Sequence, residues 1–129
     1  MGIAKHQYEL ERRWHLAHPS GKKYQYPPRN PETVKVANRE RVLNLKIKVL
    51  THYGPQGKLQ CAWPDCTVTD IDMLSLDHVN NDGAADRKKH TAGGCMTYCR
   101  VRRLGFPEGF QTLCHNHQWK KEILRRRAL

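Results

Sequence analysis

With 129 residues, the chain has room for one small domain and an extension, and 38% hydrophobic residues with 8% aromatics give it only a modest core. No run of about 18 apolar residues occurs, and the first 20 residues mix charged, aromatic and small types, so neither a membrane span nor a secretory signal is expected. The five cysteines are an odd number without the spacing of a disulfide framework, which points to a reducing, cytoplasmic compartment.

The formal net charge of +11 is unevenly placed. Residues 1–60 hold 12 Lys/Arg against 4 Asp/Glu, residues 61–99 hold 3 against 6, and residues 100–129 hold 8 against 2. Two basic flanks around an acidic centre suit a protein that grips a polyanion at its periphery and presents carboxylates at its middle.

Taken in order, residues 3–17 place Tyr8, Leu10, Trp14 and Leu16 among charged residues and predict a short helix that ends at Pro19-Ser20-Gly21. The stretch KKYQYPPRNP is extended, because proline fixes φ and disfavours helix in the residue before it. Lys22, Lys23 and Arg29 make it either a basic aromatic arm for a phosphate backbone or a plain linker. Asn30, Pro31 and Glu32 then form a helix start signal. Val34, Ala37, Val42, Leu45 and Val49 continue at helical spacing, although Leu43, Leu45, Ile47 and Val49 also alternate as a strand would. With no turn signal inside the run, helix is preferred up to Tyr53-Gly54-Pro55.

Residues 57–60 are expected as a short strand entering CAWPDC. A strand follows over 73–79, with Leu74 and Leu76 on one face, and the polar, glycine-rich stretch 80–94 is expected to be a loop. Residues 95–104 predict a short helix closed by Gly105-Phe106-Pro107, and 110–113 a second strand running into Cys114. In the last helix Trp119, Ile123 and Leu124 form the expected packing face, while Gln118, Lys121 and Arg125 share another face beside a helix N-terminus that favours phosphate.

Cys61, Cys66, Cys114 and His117 offer three thiolates and an imidazole, a closed tetrahedral set suited to structural zinc, with His115 competing for the fourth position. Cys95 and Cys99 have no partner pair and read as ordinary thiols. Between the two halves of this clamp lies LDHVNNDG, where Asp77 and His78 end a strand. Strand neighbours point to opposite faces, so both can address one phosphate only if the strand ends or twists there.

These segments, CAWPDC, LSLDHVNNDGAADRKKH, YCRVRRLGFPEGFQTLC and HNHQWKK, resemble the phage-type HNH endonucleases of the ββα-metal superfamily over roughly residues 31–122. The resemblance implies an α+β fold, a small zinc-stabilised ββα-metal domain over 54–129 behind a basic helical extension over 1–53. It implies a DNA endonuclease of a phage or bacterial host cell, monomer or homodimer, with no membrane partner. His78 becomes the general base; Asp77 and Gln118 become ligands of a catalytic Mg²⁺ or Mn²⁺; Lys121 becomes a phosphate contact, joined by Arg125 and by Lys22, Lys23 and Arg29. Four departures stand out: Gln118 is one methylene longer than the family's Asn, His117 replaces a cysteine, Asp86 stands where a His is common, and Gly109 where the middle Asn is common. A zinc-stabilised nucleic-acid-binding protein with a decayed nuclease site is the alternative.

Overall fold

The computed structural model describes residues 2–17, 29–91 and 93–129, with side chains from residue 8 onward. Lys22 and Lys23 lie outside the described residues. The chain divides into two units, Met1–Thr33 and Val34–Leu129. The first contains α1 (Gly2–Ala17), whose described side chains are exposed except for the half-buried Trp14.

Helix α2 (Pro31–His52) starts where its signals place it: the Asn30 side chain accepts the Glu32 N–H at 3.0 Å, leaving Pro31, which has no N–H to satisfy, at the first position. Burial decides between the two periodicities. Leu45, Val49 and Leu50 are buried while Leu43 is exposed, a spacing of four and five that only a helix produces. The C-terminal half of α2 thus enters the core of the second unit.

Residues 57–60, expected as a strand, do not form one. Pro55–Gly57 is a single 3₁₀ turn, and the positive φ of Gln56 and Gly57 turns the chain out of the extended region. The first strand is β1 (Leu74–His78), antiparallel to β2 (Phe110–Cys114) with Leu74 opposite Cys114 and His78 opposite Phe110. Leu74, Leu76 and His78 therefore share one face of the ribbon with Phe110, Thr112 and Cys114, and Ser75 and Asp77 share the other with Gln111 and Leu113.

Between the strands lie two helices, α3 (Gly83–His90) and α4 (Cys95–Arg103). The first corrects the expected loop. Its sequence GAADRKKH has no apolar stripe to announce a helix, and its contacts, made through Asp86, are polar. Helix α5 (His115–Arg127) follows β2 with no intervening residue.

Two clusters make the core. Leu50, Cys61, Leu74, Leu113 and Cys114 form one; Leu45, Val49 and Val101 form the other, and Leu76 and Tyr98 touch both. Backbone groups are tied in as well: the Thr112 hydroxyl donates to the Leu50 carbonyl at 2.7 Å, and the Leu76 N–H donates to the Tyr98 hydroxyl at 3.1 Å. The described residues thus form a small α+β assembly of five helices and one two-stranded antiparallel sheet. No helix among them is long and apolar enough to cross a membrane.

Candidate functional site

The four clamp residues converge. Cys61, Cys66, Cys114 and His117 bring their ligand atoms within 4.8 Å of one another, with Nδ1 of His117 3.1 Å from the Cys114 sulfur and 3.6 Å from that of Cys61. Zinc bonds of about 2.3 Å to sulfur and about 2.0 Å to nitrogen in a tetrahedron place such atoms roughly 3.5–3.8 Å apart, so the set fits a divalent ion. A left-handed Asp65 and the Cys66 N–H donating to the Trp63 carbonyl make the turn that returns Cys66 to Cys61. His115, exposed and outside the cluster, is not a ligand.

The thiols differ in character. Burial pushes the Cys61 thiol up to about 11, whereas a hydrogen bond from the Val68 backbone N–H pulls Cys66 below its ordinary value. A divalent cation held there would offset the cost of burying thiolates and couple its binding to folding. Trp63 lies parallel to the His117 ring, with centroids 5.0 Å apart and planes 6° apart, and covers the centre.

Strand alternation carries Asp77 and His78 to different surroundings. Asp77 faces α5, where its Oδ2 accepts from the Lys121 ammonium at 2.6 Å and from the Gln111 amide at 2.8 Å. Lys121 also donates to the carbonyl of His78, fastening the strand end to the helix. One turn earlier, Gln118 donates to the hydroxyl of Ser75 and, at 3.5 Å, to the carbonyl of Leu113. Asp77 and Gln118 thus belong to one seam between β1 and α5, in which a cation, the Lys121 ammonium, already sits on the carboxylate.

His78 faces the other way. Its ring packs at 4.9 Å from Phe110, keeps 18% of its side-chain surface, and places Nε2 3.3 Å from Oδ2 of Asp86. A carboxylate only accepts, so Nε2 carries a hydrogen, and in the neutral ring Nδ1 keeps its lone pair. Beside Nδ1 lies Gly83, where a Cβ would come within 3.0 Å of that nitrogen, so the glycine leaves room for it. Arg100, with 10% of its side chain exposed, donates through Nη2 to the same Asp86 oxygen. Burial works against the charge of Asp86, but the hydrogen bonds from Arg100 and His78 prevail and hold its carboxyl below the ordinary range. Nη1 of Arg100 is buried without a partner, a cost of about 1–3 kcal/mol that the pairing with Asp86 must offset. His78, Asp86 and Arg100 line a common cavity of about 230 Å³.

Sequence reasoning assigned no role to Arg100, and met Asp86 only as a departure from the resemblance. A signal was available: the i, i+4 pair Asp86/His90 is one on which a helix would build a polar network. Gly109 has φ +104, which a side chain at this position would strain, and its carbonyl receives the Val79 N–H at 3.0 Å. On α5 the expected packing face fails for Trp119, 62% exposed, and for Leu124. With His117 beside Cys61 and Cys114, the helix is rotated so that 117, 118 and 121 face inward. Arg125 is paired with Glu122, and Arg29 is exposed.

No family model, curated protein or solved structure matches the chain.

Proposed function

We propose that the protein is a zinc-stabilised HNH endonuclease that hydrolyses phosphodiester bonds in DNA. The observation that supports it most is the polarised His78 ring: Nε2–H is held by Asp86 against Arg100, Nδ1 lies beside Gly83, and the ring lines a cavity. An imidazole so held takes a proton from water near neutral pH. The hydroxide forms a bond to phosphorus as the bond to the 3′ oxygen breaks, the departing oxygen is protonated by solvent, and the product strand carries a 5′ phosphate.

Asp77, with Gln118 in the same seam, would hold the divalent ion of such a reaction. One carboxylate and one carboxamide suit Mg²⁺ or Mn²⁺, which keep much of their water. When bound, the ion supplies stabilisation of the charge on phosphorus and the leaving oxygen. Lys121 pairs with Asp77 and holds the strand end that carries His78.

That same contact favours a second reading. An ammonium seated on Asp77 competes with an ion, as expected of a zinc-stabilised nucleic-acid-binding protein whose nuclease site has decayed. Supercoiled plasmid incubated with Mg²⁺ or Mn²⁺ separates the two. The wild type nicks it and His78→Ala loses at least 100-fold in rate, within the range general bases contribute. Intact plasmid with both ions, together with retained DNA binding, establishes the second reading.

A further inference from the structure

The cations that the sequence draws attention to on α5 are already engaged: Lys121 by Asp77, and Arg125 and Arg126 by Glu122. The excursion between the strands is different. Residues 83–103 contain six Lys or Arg and a single Asp. Asp86 is taken up by Arg100 and His78, and the other five cations, Arg87, Lys88, Lys89, Arg102 and Arg103, are exposed. Among the described residues none of these five has a carboxylate partner.

They are also placed where a polyanion would meet the strand-end site. Arg102 and Arg103 line a cavity of about 460 Å³ together with His90 and Arg100. His90 and Arg100 line the His78 cavity too, so the two adjoin. Concentrated, unpaired charge of one sign beside a reactive cavity raises the local concentration of an anionic ligand, and each phosphate neutralised releases counterions.

We propose that the α3–α4 excursion is the surface that holds duplex DNA, with Arg102, Arg103 and His90 around a cavity that receives a backbone phosphate next to the one facing His78. The partner rests on the nucleic-acid reading above; the location does not depend on cleavage. Arg87, Lys88 and Lys89 on α3 extend the contact along the backbone.

The test is fluorescence anisotropy of a labelled 20-base-pair duplex, a length of roughly two helical turns. It uses the zinc-loaded full chain carrying His78→Ala, titrated across salt concentrations without added divalent ion. Arg102→Gln with Arg103→Gln lowers the slope of log affinity against log salt by about one, for the single phosphate the cavity receives, and Lys88→Gln with Lys89→Gln by about two, at about 0.9 per phosphate contact. Arg126→Gln with Arg127→Gln, an equal change of charge on α5, leaves the slope in place. All six positions are exposed, and circular dichroism confirms that each variant is folded. Equal loss from all three pairs, an unchanged slope in both excursion pairs, or equally tight binding of poly-glutamate overturns the proposal. A lost slope in a protein that never nicks plasmid leaves the surface standing and removes the enzyme; nicking with an unchanged slope does the reverse.

Discussion

Asp77 and His78 are neighbours in the chain, yet opposite sides of the molecule serve them. The Asp77 side is closed by α5, which begins at the metal cluster, and its carboxylate meets an ammonium and an amide. The His78 side is built by α3 and α4, inserted between the strands, and its ring meets a carboxylate backed by a guanidinium. The first side inherits its geometry from a cross-link: once His117 is fixed beside Cys114, Gln118 and Lys121 are one turn apart on the inward face of α5. The second inherits its geometry from a polar network with a buried, unpartnered N–H. The Cys61, Cys66, Cys114 and His117 group therefore anchors the Asp77 side, and a partly buried ion pair holds His78.

The comparison breaks most completely at the metal. Cys114→Ser, or removal of the ion by a chelator, should abolish the cooperative thermal transition, because ligation in a core this small supplies folding free energy. Elemental analysis and the emission of the tryptophans, including Trp63 stacked on His117, report the loss. A variant lacking metal with an unchanged melting temperature would remove the cluster from the fold's foundations.

On the His78 side, Arg100→Met should destabilise by about 3 kcal/mol, the low end for breaking a buried pair, because Asp86 keeps His78. Denaturant unfolding measures it, and any plasmid nicking should fall with it because Arg100 no longer backs Asp86. Across the ribbon, Lys121→Met should cost about 2 kcal/mol, less because Lys121 is the more exposed cation of the two pairs. If the two variants cost the same, the contrast between the sides disappears.

The smallest effect is on the acid side. The carboxyl of Asp86 is depressed in the folded protein, so its contribution is present above the ordinary carboxylate pKa of about 3.9 and is lost as pH falls through the lower folded value. Asp86→Asn should flatten the decline of stability below about pH 4. An identical acid limb in the two proteins would mean that Asp86 is not held as the geometry indicates.

Much of this was legible in advance. The convergent Cys61, Cys66, Cys114 and His117, the two strands, α2, α4 and α5 follow from residue spacing, capping and period, which act over a few positions. Residues 57–60 and 83–90 were misjudged because their local signals are weak. In the first, a 3₁₀ turn with left-handed backbone displaced an extended run; in the second, a helix without an apolar stripe forms through Asp86. Trp119 was misjudged for a different cause: the rotation of α5 is dictated by His117 at its start, whatever its most apolar residues would prefer.

The sequence by itself determined which three cysteines and one histidine could share an ion and the order of strand, excursion, strand and helix, since both depend on residue type and separation along the chain. Only the tertiary structure decided which side chain answers Asp77 and which answers His78. Antiparallel register and the alternation of a pleated strand set these pairings, and they join residues 8 to 44 positions apart through contacts that no local pattern encodes.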